Sequence, residues 1–390
     1  MFPTLGHLLS YIFGTEVYLP LPTFGFMVVM AILSAILWTV YEFKRLEKLG
    51  VLKPRPIKQV VGQGPQWGDL IVWALFGFFI GFKLIPLIQR PEILEVGAGQ
   101  FLFSSHGNLL YGIIGALLSG GYYYWRSSKE KLEKPKEITV MRHPYEEVSD
   151  MAVWAVVAGI IGAKLFHNLE YWEDFITDPI GNLLSIGGFT FYGGLLFGAL
   201  AVIYYIRKRG WPFWKVADAI APSIALAYGV GRIGCQLAGD GDWGIVNKMP
   251  KPDWLSWLPD WMWAFTYPHN VINAGVEIPG CTGLYCRQLP EPVFPTPFYE
   301  TIMALIIFGI LVFISRKFSL KPGSILGLFL ILMGIERWLI EKIRVNRVYE
   351  SIGMTQAELI SLGMIIGGVA LLSYIFKSKT NESYKNYKRT

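Results

Sequence analysis

Long apolar stretches separated by short polar segments dominate the chain. Several of them approach or reach the roughly 20 residues that a helix needs to cross the hydrocarbon core of a bilayer; Phe24–Tyr41, Leu70–Ile88 and Leu359–Phe376 are examples. The pattern predicts an all-α fold, a polytopic transmembrane helical bundle of about nine spans. The predicted spans are roughly 22–42, 69–88, 109–125, 151–167, 189–206, 216–235, 298–315, 324–340 and 356–376.

Composition agrees with a membrane location. Of the 390 residues, 53% are hydrophobic and only 16% are charged, whereas soluble domains carry about 25% charged residues. The segment 1–21 lacks the basic start and the small-residue cleavage site of a signal peptide. We expect this segment to lie on the outer face of the membrane.

The net charge of +6 is concentrated in short basic clusters that adjoin predicted spans. They are Lys44–Lys58, Arg126–Lys136, Arg207–Lys215, Arg316–Lys321 and Lys377–Arg389. Basic residues favour the cytoplasmic side of a membrane, and every cluster falls there if the N-terminus is outside and the C-terminus is cytoplasmic. The transmembrane domain then covers 22–376, and 377–390 form a basic cytoplasmic tail. Because each cluster is short and adjoins a span, we expect no nucleic-acid partner.

The longest outer segment, 236–297, is expected to form an extracytoplasmic head or loop. It contains Cys281 and Cys286, whose spacing allows a disulfide in an oxidising compartment but does not decide whether one forms. A zinc site would need two further ligands, and only His269 lies nearby. With no nucleotide-binding loop or flavin fingerprint visible, we expect neither a metal nor a cofactor.

Two stretches of the chain repeat one another. Asp69–Ile85 and Asp150–Phe166 align without gaps, and eight of the 17 aligned positions are identical. The identities include Asp, Trp, Gly and Lys, which a shared apolar composition would not place in register. Duplication is therefore the preferred interpretation.

The helix that follows each copy matches as well. The sequence HGNLLYG at 106–112 resembles YGGLLFG at 192–198, in the same chain direction. We interpret 69–125 as an extra two-helix hairpin that repeats 150–206 in parallel. Parallel repeats also occur in transporters, so the duplication alone does not exclude transport.

An arginine lies at the predicted outer end of the sixth span. The sequence GRIG at 231–234 is followed by GDGDWG at 239–244, which combines Arg232 with an acidic, glycine-rich turn. A guanidinium fork suits a phosphate group, and charges near a membrane are costly and usually functional. Snorkelling of Arg232 to lipid headgroups would also explain its position.

A charged stripe ends the eighth predicted span. Arg337 and Glu341 stand four residues apart and Arg344 three residues further on, so the three share one helix face. Such a stripe either satisfies itself as ion pairs or lines a polar cavity, and both interpretations are open. Glu300 begins the seventh span, where a carboxylate complements the helix dipole, and Lys164 lies near the outer end of its span.

In this order and spacing, the motifs resemble the signature of the prolipoprotein diacylglyceryl transferase family. The shared features are Gly-Arg-x-Gly with its acidic turn, Tyr-Gly-Gly-Leu, Pro-x-x-x-Tyr-Glu ending at Glu300, and Arg-x-x-x-Glu-x-x-Arg. They cover roughly residues 150–376, with a weaker echo at the start of the first span.

The resemblance implies a multi-pass enzyme of the bacterial cytoplasmic (inner) membrane with its active site facing the outer side. Such enzymes transfer the diacylglyceryl group of phosphatidylglycerol to the lipobox cysteine thiol of a prolipoprotein signal sequence, which forms a thioether and releases glycerol phosphate. The expected partners are therefore phosphatidylglycerol, prolipoprotein signal sequences and membrane lipids. A one-residue insertion leaves the choice between Asp240 and Asp242 open for the acidic position. The implied catalytic residues are Arg232, Arg337, Glu341, Tyr192, Asp240 and Asp242, and the implied substrate-binding residues are Gly193, Gly194, Gly234, Gly239, Gly244, Glu300, Arg344, Lys164 and Phe24.

The chain departs from the family pattern at several of these positions. Tyr192 stands where the family has histidine, and other family residues are replaced at Phe24, Lys164, Cys235 and Ala238. In the first copy of the repeat, His106 occupies the position that Tyr192 holds in the second copy. We hypothesise that His106 supplies the missing catalytic imidazole; an exposed histidine without such a role is the alternative.

These departures keep two other functions open. One is a paralogue that uses a different lipid donor or a different acceptor. The other is a non-catalytic lipid-binding or transport protein, which the duplicated hairpin and the lost histidine would favour. Transporter sites usually lie near the bilayer midplane, whereas the charges here lie near the predicted outer boundary, which favours the transferase.

Overall fold

A computed structural model describes residues 1–19, 21–89, 101, 106–185, 188, 190–346, 348–349 and 353–377. These residues form two units. Unit 1 comprises Met1–Pro3, Thr23–Leu52 and Val202–Thr390, and unit 2 comprises Thr4–Pro22 and Lys53–Ala201. Of the predicted cytoplasmic tail 377–390, all but the first residue lie outside the described part of the chain.

Helices form at all nine predicted spans, because each apolar stretch satisfies its own backbone hydrogen bonds. A short helix also forms in the N-terminal segment, and two more lie between residues 170 and 191. The helices are α1 (Leu5–Phe13), α2 (Thr23–Lys48), α3 (Trp67–Phe79, continued by a π-helix over Ile80–Leu84), α4 (Ile85–Gln89), α5 (Leu109–Lys129), α6 (Val148–Glu170), α7 (Trp172–Thr177), α8 (Pro179–Leu184), α9 (Phe191–Lys208), α10 (Phe213–Ala238), α11 (Thr296–Lys317), α12 (Ser324–Glu341) and α13 (Gln356–Lys377).

Six helical segments of the described chain are long and apolar enough to cross a membrane. They are Thr23–Lys48, Trp67–Leu84, Pro144–Glu170, Phe213–Ala238, Thr296–Lys317 and Gln356–Lys377. The other three predicted spans correspond to α5, α9 and α12, which carry more polar residues; α12, for example, contains Glu336, Arg337 and Glu341. The chain is thus a mostly helical membrane protein.

The prediction of an all-α fold needs one correction, because the described residues also include three two-stranded antiparallel sheets. β1 (Arg55–Val61) pairs with β2 (Lys136–Arg142), and the second of these strands is almost entirely exposed. The pattern did not predict these strands because they lie in basic segments and pair across a whole helical hairpin. The two shorter sheets pair β3 (Val276–Glu277) with β4 (Arg287–Gln288), and β5 (Val348–Tyr349) with β6 (Met354–Thr355).

Unit 1 is built around α10, which packs against α2, α11 and α12, while α13 packs against α12. Its apolar core includes buried residues of α10, α11 and α12, among them Ala225, Leu311 and Phe329. At the end of this unit where α12 begins, Asp218 accepts hydrogen bonds from the backbone N–H groups of Gly323 and Leu326 at 2.7 and 2.9 Å. It thereby satisfies N–H groups that a helix start leaves without intrahelical partners.

The predicted head 236–297 is tied to the end of α10 in unit 1. The buried Tyr267 donates a hydrogen bond to Gln236 Oε1 at 2.8 Å. Asn270, also buried, hydrogen-bonds to four backbone groups of the head. Cys281 and Cys286 form a disulfide. These contacts show an ordered head rather than a loose loop.

In unit 2, both copies of the repeat form helical hairpins with glycines at the helix contact. A Cβ atom on Gly81 would lie 1.9 Å from the Tyr111 carbonyl oxygen, and one on Gly162 would lie 2.5 Å from Phe197 Cβ. In the alignment of the two copies, Gly81 corresponds to Gly162 and Tyr111 to Phe197. The two hairpins therefore pack in the same register.

The lysine that both copies share is buried in each hairpin. Lys83 donates to the carbonyl oxygens of Phe101 and His106 at 2.8 and 2.6 Å. Lys164 donates to the carbonyl and hydroxyl oxygens of Ser185 at 2.9 and 2.7 Å. Each lysine thus holds the loop that leads into the second helix of its hairpin.

Candidate functional site

Three arginines of unit 1 converge on one buried carboxylate, Glu300 in the first turns of α11. Glu300 is fully buried. Its oxygens lie 2.8 Å from Arg232 Nε, 3.0 Å from Arg337 Nη1 and 3.3 Å from Arg344 Nη1. Arg232 is contributed by α10, Arg337 by α12, and Arg344 by the segment that follows α12. Glu300 therefore joins three parts of the chain that are distant in sequence.

Asp242 bridges two of these arginines, because its carboxylate pairs with both Arg232 and Arg344. The turn that positions it begins at Gly239, which ends α10 with a φ of 66°, and continues through Gly241 with a φ of 101°. Glycine adopts such angles without steric cost. We call the residues Arg232, Asp242, Glu300, Arg337, Glu341 and Arg344 the arginine cluster.

The two acidic residues of the turn differ in their surroundings. Burial raises the pKa of Asp240 above its ordinary value. Burial acts in the same direction on Asp242, but the charges of Arg232 and Arg344 outweigh it and hold the pKa of Asp242 below its ordinary value. Of the two candidates that the sequence left open, Asp242 is the one that contacts the arginines.

Gly244 holds Arg344 beside this turn. The two residues form an isolated antiparallel bridge, and the adjacent Ile245 N–H donates to the Ile343 carbonyl oxygen at 2.8 Å. A Cβ atom on Gly244 would lie 2.4 Å from that same oxygen. Close backbone approach thus accounts for glycine at this position.

Glu341 connects the cluster to the start of α13. Its carboxylate forms an ion pair with Arg337 at 2.9 Å and accepts hydrogen bonds from the Asn346 side chain at 2.6 Å and from Thr355 Oγ1 at 2.7 Å. The charged residues at 337–344 are therefore engaged in ion pairs, and the hydrogen bonds of Glu341 extend to Asn346 and Thr355.

The cluster contains three guanidinium groups and three carboxylates, so their formal charges cancel. The ion pairs named above use two of the three nitrogen atoms of each guanidinium. Each guanidinium carries five N–H groups in a rigid fork, which leaves N–H donors for the oxygens of an incoming anion. A phosphate group is the anion that such forks match geometrically.

Two further side chains line Arg232. The thiol of Cys235, which is buried, lies 3.6 Å from Arg232 Nη1. The ring of Tyr228 lies 5.1 Å from the guanidinium carbon of Arg232, within the range of a cation–π contact. The helical spacing explains both contacts with Arg232, because residues 228, 232 and 235 share one face of α10.

One group of potential metal ligands occurs in the described part of the chain: Cys235, Asp240 and Asp242, whose ligand atoms lie within 4.8 Å of one another. Two guanidinium groups already pair with Asp242. A cation placed there would face two positive charges, so these residues fit a metal ion poorly.

The predicted glycine and aromatic positions are explained in part by packing. A Cβ on Gly234 would lie 2.8 Å from Met27 Cβ in α2, and Phe24 lies near the same glycine. In unit 2, a Cβ on Gly193 would lie 2.3 Å from the Gly162 carbonyl oxygen, and Gly194 faces Gly159 across the same helix pair. Close helix contacts therefore account for Gly193 and Gly234 whether or not these glycines bind substrate.

The remaining predicted site residues belong to unit 2. His106 is exposed, Tyr192 is half-buried and Lys164 is buried. Lys164 is bonded to Ser185, as described above. The proposed roles of these three residues in binding or catalysis stay predictions.

One residue beside the cluster was not given a role from the sequence. Glu336, in the last turns of α12, is 1% exposed. It interacts electrostatically with Glu300 and with all three arginines of the cluster. In the sequence, Glu336 is simply the neighbour of Arg337 and of the charged stripe, which gives no signal that it is buried.

Fold and site together define a helical membrane protein that carries a buried arginine–carboxylate cluster suited to a phosphate ester. Comparison with known proteins gives the family. The sequence model of the prolipoprotein diacylglyceryl transferase family matches residues 110–374, and the chain belongs to this family of transferases. The matched range begins inside the first copy of the repeat, earlier than the motifs alone suggested.

Individual relatives bear the name phosphatidylglycerol–prolipoprotein diacylglyceryl transferase. The one from Glaesserella parasuis serovar 5 is 32% identical over 277 residues, which cover 67% of this chain and 86% of the relative. The one from Vibrio vulnificus is 32% identical over 244 residues, covering 60% and 76%. The one from Leptospira interrogans is 28% identical over 236 residues, covering 55% of this chain and 66% of the relative, slightly less than two thirds of its length.

Proposed function

We propose that this protein transfers the diacylglyceryl group of phosphatidylglycerol to the lipobox cysteine thiol of prolipoproteins. The observation that carries the proposal is the convergence of Arg232, Arg337 and Arg344 on Glu300. A reaction whose leaving group is a phosphate ester needs positive groups fixed where its negative charge develops. The names of the relatives support the same donor and acceptor.

In the proposed reaction, the S–H bond of the acceptor cysteine breaks, and its sulfur forms a bond to the carbon of the diacylglyceryl group that carries the phosphate. The C–O bond between that carbon and the phosphate breaks, and its electron pair leaves with glycerol phosphate. The arginines bind the phosphate oxygens, while Asp242, Glu300 and Glu341 hold the guanidinium forks in place. Thiolate is the nucleophilic form of cysteine, so the site also needs a proton acceptor.

The proposed setting is the bacterial inner membrane, with nine spans, the N-terminus and the 236–297 head outside, and the C-terminus in the cytoplasm. The distribution of basic clusters supports this orientation. The disulfide between Cys281 and Cys286 supports an oxidising location for the head. Helices α5, α9 and α12 would be the three less apolar spans.

The proposal is tested by a transfer assay with a matched pair of arginine variants. Purified protein is incubated with labelled phosphatidylglycerol and a lipobox peptide, with a Cys-to-Ser peptide as acceptor control. Arg232→Ala removes a guanidinium of the cluster. Arg316→Ala removes one that pairs with the buried Glu42 instead, at the last turn of α11, whereas Glu300 lies near its first turn.

We expect labelled peptide with the wild type and with Arg316→Ala, and a loss of at least about 100-fold with Arg232→Ala, the size of effect seen when one stabilising donor is removed. Equal activity of Arg232→Ala and the wild type would contradict the assigned role of the cluster. Absence of transfer by the wild type, beside an active relative, would contradict the proposed function.

A second candidate is a paralogue with a different lipid donor or acceptor. Two observations favour it: Tyr192 replaces the family's histidine, and a buried Cys235 stands beside Arg232. Competing lipids and peptides in the same assay distinguish the two. The proposed imidazole of His106 is tested there as well, because His106→Gln should reduce transfer only if His106 has that role.

A further inference from the structure

Glu336 is a buried carboxylate inside unit 1. It lies three residues after Met333 and seven after Phe329, on the face of α12 that packs into the apolar core. Only 1% of the residue is exposed. Among the residues that the structure describes, neither of its oxygens has a hydrogen-bond partner.

The other carboxylates of the site are in a different situation. Asp242, Glu300 and Glu341 each lie within ion-pair distance of at least one guanidinium group, and together they already balance the three arginines. Glu336 is a fourth carboxylate, and none of the described residues forms an ion pair with it. A buried polar group without a partner destabilises a protein, and a buried charge does so more strongly, so a purely structural role does not explain this residue.

Groups on several elements surround Glu336. The charged groups that act on it are Arg232 of α10, Glu300 of α11, Arg337 of α12 and Arg344 beyond α12. Tyr228 of α10 interacts with it electrostatically as well. Helix α13 also packs on α12, and its Glu358 is paired with Lys342. Glu336 is thus a buried residue that interacts electrostatically with the arginine cluster.

The proposed reaction requires a group to accept the thiol proton, and the cluster offers few choices. A carboxylate that is paired with a guanidinium group is stabilised as the anion and is a weak base. This applies to Asp242, Glu300 and Glu341 but not to Glu336, whose oxygens accept no hydrogen bond from any residue that the structure describes. The family's histidine is absent from position 192.

We propose that Glu336 is the catalytic base that accepts the proton of the acceptor cysteine, an inference that rests on the proposed function. The S–H bond breaks as the proton moves to the Glu336 carboxylate, and the sulfur attacks the glycerol carbon. The C–O bond to phosphate breaks, and Glu336 then returns its proton to the departing glycerol phosphate. No further reactant is needed, because the phosphate monoester has an oxygen that accepts a proton.

The test compares Glu336→Gln with the wild type on two acceptor peptides, one with cysteine and one with selenocysteine at the lipobox position. A selenol is ionised at neutral pH and needs no base. With the cysteine peptide, Glu336→Gln should lower kcat/KM by about 10²–10⁴-fold, the usual contribution of a general base. With the selenocysteine peptide, we expect the variant and the wild type to differ by less than about threefold in this comparison.

Two variants control for a structural effect. Glu42→Gln makes the same change in a buried carboxylate that pairs with Arg45 and Arg316, and it should affect both peptides equally. Glu336→Asp keeps a carboxylate and should retain more activity on the cysteine peptide than Glu336→Gln does. Glu336→Gln itself should resist unfolding at least as well as the wild type, because it removes an unmatched buried group.

Each result bears on the proposal. An equal loss with both peptides, or full activity of Glu336→Gln on the cysteine peptide, would overturn it. A variant that unfolds more readily than the wild type would also count against it, because it would show that Glu336 has stabilising partners. If the wild type transfers to neither peptide, the proposed function itself fails, and this inference fails with it.

Discussion

Replacing Glu300 by Gln is the most direct perturbation of the arginine cluster. The change keeps the shape of the side chain but removes the charge that contacts Arg232, Arg337 and Arg344 at 2.8, 3.0 and 3.3 Å. Removing one partner of a buried ion pair costs about 3–5 kcal/mol. After the substitution, Asp242 and Glu341 still give each arginine one carboxylate, so we expect a loss near 3 kcal/mol.

The same substitution should create an affinity for phosphate. With Glu300 neutral, the cluster has three positive groups and two negative ones, and the guanidinium nitrogens that faced Glu300 are free to bind an anion. Inorganic phosphate at ten times its Kd would then restore about 1.4 kcal/mol. The wild type, in which Glu300 still pairs with those nitrogens, should respond less.

The assay is chemical unfolding in detergent micelles, followed by tryptophan fluorescence, with and without phosphate. Glu42→Gln is the control, because Glu42 is also buried and pairs with two arginines. Glu42→Gln should lose a similar amount of stability but should not respond to phosphate. Unchanged stability of Glu300→Gln, or an equal phosphate response of both variants, would refute the reasoning.

The remaining predictions concern the turn and the head. Gly244→Ala should lower transfer at least about tenfold. The added Cβ would lie 2.4 Å from the Ile343 carbonyl oxygen and must displace the segment that carries Arg344. Gly309→Ala is the control and should transfer normally in the same assay, because its Cβ would meet no described atom within 4 Å. Asp242→Asn should be less stable than the wild type at neutral pH and should lose this difference as the pH falls below about 4, because the folded-state pKa of Asp242 is lowered. Asp240→Asn should be at least as stable as the wild type at neutral pH, because the folded-state pKa of Asp240 is raised, and this gain in stability should vanish in acid. Unfolding curves between pH 3 and about pH 8 test both pH dependences. Cys281→Ser opens a disulfide of sequence separation 5, which should cost about 2 kcal/mol by loop entropy without abolishing transfer.

Much of the fold can be predicted from the sequence, because a long apolar stretch in a membrane protein must satisfy its backbone hydrogen bonds internally and therefore forms a helix. All nine predicted stretches are helical, and the repeat predicted from Asp69–Ile85 and Asp150–Phe166 corresponds to two hairpins packed in the same register. What the pattern could not give was pairing between distant segments. The β1–β2 sheet brings together strands that flank an entire hairpin, and nothing in the local pattern specifies that pairing.

The candidate site was predictable in its members but not in its geometry. Helical spacing placed Arg337, Glu341 and Arg344 on one face, yet only the folded chain shows that Glu300 reaches Arg337 and Arg344 as well as Arg232. The choice between the two acidic residues of the turn depended on a backbone with positive φ at Gly239 and Gly241, which sequence spacing does not specify.

Glu336 shows a different limit. The residue that follows it, Arg337, is charged, whereas in space Glu336 lies next to the apolar core and interacts electrostatically with the cluster. Whether a charged residue near a helix end is solvated or buried depends on tertiary packing, and no local pattern reveals it. The burial of this residue is therefore a product of the fold alone.

The measurement that most directly tests the central claim is a dual-label transfer experiment. Phosphatidylglycerol carries one label in its diacylglyceryl group and another in its glycerol phosphate headgroup, and the protein is incubated with a lipobox cysteine peptide. We predict that the peptide gains the diacylglyceryl label as a thioether, and that an equal amount of labelled glycerol phosphate is released. Headgroup label on the peptide, or no label on the peptide while a related enzyme labels it under the same conditions, would contradict the account.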